Sequence, residues 1–551
     1  MTSQKNRCRR ILIAVLVLSC KVNAQAISAC SGLKGKLIDS KQIGLPTRGA
    51  VVHSAHHVKG AASGYCRVLG SIVSVDPAAD PIRFEVNLPE TWNGKALQFG
   101  GGGFDGYLRQ SDGRRYTVVG DQTRPTPLAQ GYATFGSDSG HHHHYLLLPD
   151  AFNLARATFA LNDEERNNFA SDSLKKTHDV AVALMGARYD ASPSRMYFVG
   201  GSTGGREAMK VVDRWPADYD GVLAAYAAWN QIETDLQFVR VAQAMYAKGK
   251  NGQSGWLPPA KTKLLRDAVL NACDAQDGLK DKIVSNPASC SFDPSSLRCP
   301  DGKDRKGCLS DGQERTVKAF STPQISNFAV ENCMDREPGY NVLRGADLVG
   351  NMGWFHHPFK PALPVFNSLY YVFGDGVVRT FLRVEPKISL FRIDTINGSE
   401  IGHKRDAGFA HVYEQSIEDD ASLADLSPFQ SHGGKLLLVH GVTDSTIPTD
   451  ASVLLYSRIV KAMGQKRADT FVRLYLIPGF GHGEGVFFAG FDTVGVLDRW
   501  ANEGIAPGQL VAADQNKHAT RTRPMCVWPG WPRFTGEDVN SAASYTCTLN
   551  P

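Results

Sequence analysis

The chain has 551 residues, of which 21% are charged and 42% hydrophobic, and this balance excludes a disordered or fibrous protein. Its length can bury a large core and is enough for two or three domains. The formal charge is +5, but residues 1–24 hold five basic residues and no acidic ones, so the remainder is formally neutral. A neutral chain has no overall attraction to nucleic acid or anionic lipid, and we expect neither as a partner.

The first 24 residues predict a secretory signal peptide. The basic stretch KNRCRR precedes the apolar run ILIAVLVLS, and VNA ending at Ala24 provides a cleavage site. The apolar run is too short to span a bilayer comfortably, and no later segment approaches about 18 uncharged apolar residues. A lipoprotein signal ending at Cys20 is the alternative, disfavoured by the bulky Leu18 beside the cleavage point. We expect a secreted or periplasmic protein without a membrane anchor.

Nine cysteines remain after the predicted cleavage, which suits an oxidising compartment. No two of them have the short spacing of zinc sites, so zinc binding is disfavoured. Proximity in the sequence favours four disulfides and leaves Cys333 over, although spacing alone leaves other connectivities open. The predicted pairs are Cys30–Cys66, Cys273–Cys290, Cys299–Cys308 and Cys526–Cys547.

Residues from about 75 to 225 alternate short apolar runs with helical patterns, which indicates an α/β sheet with mostly parallel strands. The predicted strands are IRFEVNLP, KALQFGGGG, GYATFGSDSG and RMYFVGG, and the predicted helix is LKKTHDVAVALMGARY. The pattern returns after about residue 430, with strands in GKLLLVHGVTD and FVRLYLIPGFGHG and a helix in ASVLLYSRIVKAMG.

The intervening segment is richer in Cys, Pro, Asn and aromatic residues, which favours an insertion folded as a cap over the sheet. We therefore predict a signal peptide at 1–24, the first part of an α/β domain at 25–226, a lid domain at 227–430 and the second part of the α/β domain at 431–551.

The pentapeptide Gly200-Gly201-Ser202-Thr203-Gly204 matches G-x-S-x-G, a sharp strand-to-helix turn that exposes a nucleophilic serine. Glycine–serine turns are common, so the pentapeptide alone is weak. Here it follows the apolar strand MYFV and precedes REAMKVVDRW, which can begin a helix. This context favours Ser202 as a nucleophile over a small residue in a flexible turn.

A nucleophilic serine needs a base and an acid that orients the base, and α/β-hydrolases carry them at strand ends in the order Ser, Asp or Glu, His. Asp444 follows the strand KLLLVHG, and His482 follows RLYLIPG inside GFGHGEG. The alternatives are a turn or helix N-cap for Asp444 and a surface histidine for His482. Order and position together favour a triad of Ser202, His482 and Asp444.

Backbone N–H groups must stabilise the negative charge that develops during attack on an ester carbonyl. The amide of Thr203, directly after the serine, is one candidate. The glycine loop GGGGFDG, Gly100 to Gly106, follows a strand where esterases carry such donors, and Gly102 and Gly103 are equal candidates. A dinucleotide-binding loop is the alternative, but these contiguous glycines do not match G-x-G-x-x-G.

The segment CDAQDGLKDKI places Asp274, Asp277 and Asp281 in one short loop, called the acid loop below (residues 274–283). Three carboxylates so close repel one another unless a cation lies among them, and oxygen ligands suit Ca²⁺. The loop lacks the spacing and terminal Glu of an EF-hand. The alternative is a solvated acidic loop with Lys280 and Lys282 as counterions.

Seven motifs together resemble the tannase and feruloyl esterase family, and the resemblance covers nearly the whole chain after the signal. They are GGGGFDG, GSDSGH, YFVGGSTGGREAM, DYDGVLAAYAAWN, CDAQDGLKDKIVSNPASCSFDP, HGVTDSTIP and PGFGHGEG. The resemblance implies an α/β-hydrolase fold with a lid inserted between the serine and the acid. It also implies hydrolysis of aromatic carboxylic esters, with feruloyl, galloyl or related acyl groups.

The resemblance further implies a structural Ca²⁺ in the lid, with ligands from Asp274, Asp277, Asp281 and the carbonyls of Leu279 and Ile283. Two other functions stay open at this point. One is a serine peptidase or acyltransferase on the same fold, and the other is a non-catalytic binding protein that retains the hydrolase scaffold.

The sequence departs from the family pattern beside the triad. Family members usually carry cysteines directly before the serine and directly after the histidine, joined in a disulfide, and here these residues are Gly201 and Gly483. We expect packing alone to position Ser202 and His482, in a looser triad. Replacing both glycines by cysteine is expected to raise the melting temperature.

Overall fold

A computed structural model describes most of the chain after the predicted signal peptide, which lies outside the described residues. The described residues are 29–59, 64–108, 111, 118–142, 157–246, 255–328, 330–355, 357, 366–383, 388–398 and 420–550.

Within these ranges the strands share short lengths of two to nine residues. They are β1 Leu37–Ile38, β2 Ala50–Val58, β3 Tyr65–Ile72, β4 Ile82–Pro89, β5 Lys95–Phe99, β6 Ala133–Ser137, β7 Arg195–Gly201, β8 Gly221–Ala225, β9 Gln324–Ile325, β10 Arg336–Glu337, β11 Lys435–Gly441, β12 Val472–Ile477, β13 Ala489–Gly490, β14 Leu510–Asp514, β15 Thr522–Met525, β16 Trp531–Phe534 and β17 Tyr545–Thr548.

The α-helices of the described ranges lie between these strands, singly or in pairs except between β8 and β11, where there are five. They are α1 Asp163–Asn167, α2 Ser173–Tyr189, α3 Thr203–Arg214, α4 Gln231–Tyr246, α5 Pro259–Cys273, α6 Asp311–Ser321, α7 Leu369–Thr380, α8 Ser427–His432, α9 Thr449–Met463, α10 Gln465–Ala468 and α11 Thr493–Glu503.

Ten strands form the main sheet, in the order β1-β2-β3-β4-β6-β5-β7-β8-β11-β12. The strands from β6 to β12 run parallel, as the sequence predicts, whereas β1 to β4 and the β4–β6 pair are antiparallel. The sheet is therefore mixed rather than mostly parallel. The hydropathy pattern gave no signal for β2, AVVHSAHHV, because its second half is polar and only partly buried.

The central strands are continuous apolar runs because both of their faces are covered. In β7, Phe198 contributes to the core on one face, while Tyr197 and Val199 contribute to the core on the other. Helices α3, α9 and α11 pack against β7, β8 and β11. The carboxyl ends of these parallel strands consequently lie at one edge of a rigid sheet, where their loops meet.

The main sheet is interrupted between β8 and β11, and the predicted lid lies in this interval. Among its described residues are helices α4 to α7 and the two-stranded β9–β10 pair, but no strand of the main sheet. Beyond the main sheet, β13, β14 and β15 form a three-stranded sheet, and β16 pairs with β17. All four predicted disulfides are present, and Cys333 is an exposed free thiol.

Within the described ranges, every helix is too short or too polar to cross a lipid bilayer.

Candidate active site

Ser202 lies at the turn between β7 and α3, with φ 61° and ψ −123°. This is a strained conformation for a residue other than glycine. The turn is fixed from both sides, since the Ser202 N–H donates to the carbonyl of Ala225 at 3.1 Å and its carbonyl accepts from the amide of Ala228 at 3.1 Å. The structure therefore places this serine on an elbow held by backbone hydrogen bonds rather than in a flexible turn.

Glycines beside the elbow allow a close approach of backbones that a side chain would prevent. A Cβ on Gly204 would lie 2.8 Å from the carbonyl oxygen of Gly101, and a Cβ on Gly100 would lie 2.8 Å from the Cα of Gly204. Such distances cannot be relieved by moving a flexible side chain. The glycine loop and the first turn of α3 thus touch backbone to backbone.

Two buried acids hold the glycine loop in place. Glu207 accepts from the amide of Gly101 at 2.7 Å, and Asp105 accepts from the amide of Gly102 at 2.5 Å. Burial raises the pKa of Glu207 well above its ordinary value, and the charge of Asp105 raises it further. The hydrogen bond that Glu207 shares with Asp105 raises this pKa as well. Ser139, from the GSDSGH motif, donates to Asp105 at 2.9 Å.

These contacts separate the two glycines that the sequence left equal. The amide of Gly102 is already bonded to Asp105, whereas the amides of Gly103 and Thr203 have no acceptor in the part of the chain that the structure describes. The hydroxyl of Thr203 donates to the carbonyl of Gly103 at 2.6 Å, which joins the two segments. Gly103 and Thr203 are thus the better-placed pair of candidate oxyanion donors.

Asp444 and His482 are hydrogen-bonded to each other, with 2.8 Å between Asp444 Oδ2 and His482 Nδ1. Asp444 is fully buried, and its other carboxylate oxygen accepts from the amides of Thr446 at 2.7 Å and Ile447 at 3.0 Å. His440 Nε2 lies 3.3 Å from Asp444 Oδ2. The acid and the base predicted from the sequence are brought together by loops that follow β11 and β12.

The electrostatics of this pair suit an orienting acid and a general base. Burial alone would raise the pKa of Asp444, but His482 and His440 lower it far below its ordinary value, so the carboxylate stays charged. Burial lowers the pKa of His482, but the charge of Asp444 and the hydrogen bond to it outweigh this and raise it overall. The bond at Nδ1 leaves Nε2 as the nitrogen available to a substrate or nucleophile.

One side chain that sequence reasoning missed lies between the elbow and the imidazole. The ring of Tyr226 is centred 4.5 Å from the ring of His482. A Cβ on Gly201 would lie 2.6 Å from the Tyr226 ring, and a Cβ on Gly483 would lie 3.5 Å from its hydroxyl oxygen. The signal was available in DYDGVLAAYAAWN, where one bulky aromatic residue interrupts a run of small residues after a buried strand.

The position of this ring bears on the expected effect of cysteines at Gly201 and Gly483. Any side chain at residue 201 collides with the Tyr226 ring, so the double substitution would displace that ring rather than add a bridge to an otherwise unchanged site. A raised melting temperature for the double substitution stays a prediction, and it requires the Tyr226 ring to move aside.

The three carboxylates of the acid loop follow α5 and bind backbone amides. Asp274 accepts from Lys282 and Ile283, and Asp277 accepts from Leu279 and Ser285. Burial raises the pKa of both carboxyl groups, and the nearby charge of Asp281 raises it further. These two acids are consequently short of positive charge.

Asp281 has a cationic partner of its own, because the guanidinium of Arg523 lies 3.0 Å from its carboxylate. The loop is also held by packing, since the carbonyl of Phe534 lies 3.0 Å from the position of a Cβ on Gly278. Carboxylates with intervening carbonyl groups are the donors that Ca²⁺ prefers. The chemical type of these oxygen ligands fits Ca²⁺. A bound ion would supply the positive charge that is missing beside Asp274 and Asp277.

The acid loop carboxylates do not converge within 4.8 Å of one another. Among the described residues, the group of three metal-capable side chains that does so is His178, Asp179 and Asp218. The ammonium group of Lys175 lies 2.7 Å from Asp179 and 2.9 Å from Asp218. A lysine therefore already bridges the two carboxylates of that group, and it forms an ion-pair cluster between α2 and the segment before β8.

A cavity of about 890 Å³ lies between the acid loop and the loop after β12 that carries His482. Asp274, Lys280 and Lys282 line one part of it, and His482 and Glu484 line another. A Cβ on Gly479 would lie 2.9 Å from the side chain of Ile283. The acid loop thus packs directly against the segment that carries the candidate base.

Known proteins of one family resemble this chain over nearly its whole length. A family model described as tannase and feruloyl esterase matches residues 66–548. An uncharacterised esterase of Agrobacterium fabrum is 34% identical over 539 residues, covering 95% of this chain and 93% of the relative. Mono(2-hydroxyethyl) terephthalate hydrolase of Piscinibacter sakaiensis is 27% identical over 531 residues, covering 88% of this chain and 85% of the relative.

Solved structures show a similar fold. Feruloyl esterase B from Aspergillus oryzae has a TM-score of 0.74 at 21% identity, covering 94% of this chain and 100% of that chain. Tannin acyl hydrolase from Aspergillus niger has a TM-score of 0.64 at 20% identity, covering 96% of this chain and 94% of that chain. The large mixed sheet with helices on both faces is accordingly an α/β-hydrolase fold, as the sequence predicts.

Proposed function

The chain belongs to the tannase and feruloyl esterase family and is a carboxylic ester hydrolase, and from this premise we propose that it hydrolyses esters of aromatic carboxylic acids. The reaction uses Ser202 as nucleophile, His482 as base and Asp444 as orienting acid. The observation that carries the proposal is the 2.8 Å hydrogen bond between Asp444 and His482 at the same sheet edge as the elbow serine.

The proposed reaction has two halves. In the first, Ser202 Oγ attacks the ester carbonyl while His482 Nε2 takes the hydroxyl proton, and the amides of Gly103 and Thr203 bind the oxyanion. The C–O bond to the alcohol then breaks, and His482 returns the proton to the leaving alcohol. In the second half, water attacks the acyl-enzyme with His482 as base, which releases the carboxylic acid and restores the Ser202 hydroxyl.

The aromatic acyl group is supported by the relatives rather than by a described substrate pocket. Their names specify feruloyl esters in fungal relatives and a terephthalate ester in the bacterial hydrolase. The rival enzyme function, a peptidase or acyltransferase on this fold, predicts amide cleavage or transfer to alcohols. The binding-protein alternative predicts a serine without nucleophilic reactivity.

The test is turnover of methyl ferulate, methyl gallate and mono(2-hydroxyethyl) terephthalate by the wild-type protein, Ser202→Ala and a control, Ser457→Ala, at an exposed serine on α9. We expect hydrolysis of at least one ester by the wild type and the control, and none above background by Ser202→Ala. Fluorophosphonate labelling should follow the same pattern. A wild-type protein that neither turns over an ester nor takes the label would overturn the proposal.

The acid loop completes the proposal with a structural Ca²⁺ in the predicted lid. Asp274, Asp277 and Asp281 with the carbonyls of Leu279 and Ile283 are the proposed ligands. Support comes from the oxygen donors and from the two buried carboxyl groups with raised pKa. The ion would add positive charge beside the acid loop and take no part in the ester chemistry.

We also propose that the protein is exported and cleaved after Ala24. Support comes from the basic and apolar N-terminal segments and from four disulfides, which form in oxidising compartments. N-terminal sequencing of protein recovered outside the cytoplasm should begin at Gln25. An intact N-terminus in that fraction would contradict the predicted cleavage.

A further inference from the structure

Tyr226 occupies an unusual position directly after β8. Its φ is +35°, which is disfavoured for a residue with a side chain, yet the residue is only 9% exposed. Its amide donates to the carbonyl of Val439, on the neighbouring strand β11, at 2.7 Å. The backbone therefore fixes this tyrosine at the sheet edge where the site lies.

The residues on both sides of Tyr226 are bonded to the backbone of the candidate nucleophile. Ala225 accepts from the Ser202 amide, and Ala228 donates to the Ser202 carbonyl, both at 3.1 Å. A displacement of the Tyr226 segment would consequently move the elbow as well. The backbone of this segment therefore helps to hold the candidate nucleophile in place.

The side chain of Tyr226 packs against the candidate base, His482. Its ring is centred 4.5 Å from that of His482, with 49° between the planes, and 6.1 Å from that of Phe480. On the other side, the ring leaves no space for a Cβ on Gly201, which would lie 2.6 Å away. The ring is thus packed between the end of β7 and the imidazole.

The imidazole needs this contact because its hydrogen bond to Asp444 fixes one nitrogen only. Rotation of the ring about that bond changes the direction of Nε2 without breaking the bond. An aromatic ring packed against the imidazole restricts this rotation, and a misplacement of about 1 Å can cost on the order of 100-fold in rate. The same ring touches the residue that precedes the nucleophile, so it relates the two groups to each other.

We propose that Tyr226 is a positioning residue that orients the His482 imidazole toward Ser202, and that Gly201 is glycine because this ring occupies the space beside it. The inference rests on the proposed esterase function. It assigns the contribution to the ring and not to the hydroxyl group.

The first test compares Tyr226→Ala and Tyr226→Phe with a matched control, Tyr132→Ala. Tyr132 is a buried tyrosine of the same hydrophobic core, with no ring contact to His482 among the described contacts. We expect kcat of Tyr226→Ala to fall roughly 10- to 100-fold with KM within about twofold of the wild type. Tyr226→Phe should restore kcat, and Tyr132→Ala should lose melting temperature without a comparable loss of kcat.

The second test measures coupling between residues 201 and 226. Gly201→Ala should reduce kcat strongly in the wild-type background, because the added methyl group collides with the ring. In the Tyr226→Ala background the same substitution should have little further effect. This comparison uses kcat values alone and needs no melting temperatures. Tyr226→Leu can replace Tyr226→Ala if alanine at this residue prevents folding.

The outcomes separate the inference from the function on which it rests. An active wild type with unchanged kcat in Tyr226→Ala, or additive effects at 201 and 226, would overturn the inference alone. A loss of kcat in Tyr226→Phe equal to that in Tyr226→Ala would overturn the assignment to the ring. Absence of both ester turnover and fluorophosphonate labelling in the wild type would overturn the function and the inference together.

Discussion

Asp444 at the catalytic end of the sheet and two acids of the predicted lid, Glu233 and Glu337, are all buried, but their pKa values shift in opposite directions. Asp444 is fully buried and keeps its charge, because two histidines and two backbone amides surround it. Glu233, near the start of α4, is equally inaccessible, yet burial raises its pKa to about 8. Glu337 of β10 is also buried, and its pKa is raised well above the ordinary value.

The difference shows that depth of burial does not decide the charge of a carboxyl group in this molecule. The donors around the group decide it. The histidines and backbone amides around Asp444 lower its pKa, so its carboxylate retains the charge that can orient His482. Glu233 and Glu337 of the predicted lid instead have another acid, Asp420, as a charged neighbour, and it raises both pKa values further.

The strongest test of the catalytic side is Asp444→Asn. The amide keeps the shape of the carboxylate but does not hold the imidazole in the same tautomer or stabilise its charged form. We expect kcat to fall on the order of 10⁴-fold, as in other Ser-His-Asp sites, with little change in melting temperature. Asp450→Asn, at the half-exposed ion pair with Arg344, is the control and should retain activity. An Asp444→Asn protein within tenfold of wild type would contradict the orienting role.

The acid loop provides the next test, by removal of Ca²⁺. When the free Ca²⁺ concentration is 100 times the dissociation constant, binding stabilises the folded state by about 2.7 kcal/mol. Chelation should therefore lower the melting temperature by several degrees. Asp277→Asn should abolish this dependence on Ca²⁺, whereas Asp293→Asn, an acid of the predicted lid outside the acid loop, should preserve it. Melting curves with and without chelator, together with metal analysis of the purified protein, decide the matter. Equal melting temperatures in both conditions would refute the calcium proposal.

A smaller effect is expected from a methyl group in the backbone contact at the catalytic end. Gly204→Ala places a Cβ 2.8 Å from the carbonyl oxygen of Gly101, and we expect a loss of roughly 1–3 kcal/mol with reduced kcat. Gly186→Ala in α2 is the matched control, because its Cβ meets nothing within 4 Å. That variant should be neutral or more stable by up to about 1 kcal/mol, since alanine favours a helix. Chemical denaturation and ester turnover measure the two effects.

The smallest expected effect is the change in the free energy of unfolding per pH unit that Glu233 of the predicted lid causes. The pKa of Glu233 is about 8 in the folded protein and near 4.5 when unfolded, so between these values the folded state binds more protons. The free energy of unfolding should therefore fall as pH rises, by up to about 1.4 kcal/mol per pH unit relative to Glu233→Gln. Exposed Glu503→Gln is the control and should follow the wild type. A constant difference between wild type and Glu233→Gln from pH 5 to 8 would show that Glu233 does not titrate in this way.

The sequence predicted those parts of the molecule that depend on local pattern. The strand IRFEVNLP matches β4 over its full length, and the helix in LKKTHDVAVALMGARY matches α2 within one residue. The chain order of Asp444 and His482 after buried strands was enough to expect their contact, because parallel strands bring such loops to one edge. Proximity also paired the eight cysteines correctly.

Contacts between distant segments could not be read in the same way. The role of Tyr226 depends on where its ring lies relative to Gly201 and His482, and no periodicity encodes that relation. The choice between Gly102 and Gly103 required knowing which amide Asp105 accepts from. Partly polar strands such as β2 were missed because their alternation of buried and exposed residues is incomplete.

The C-terminal strands also constrain how this enzyme can be recombined with its relatives. Arg523 pairs with Asp281, the carbonyl of Phe534 lies beside Gly278, and the Asn286 side chain bonds to Asn550 at 2.5 Å. A chimera that exchanges the insertion alone would remove the counterparts of these late residues and leave a buried guanidinium facing a foreign surface. A folded chimera with altered substrate specificity should therefore receive the insertion and the residues from about 520 onward from the same family member.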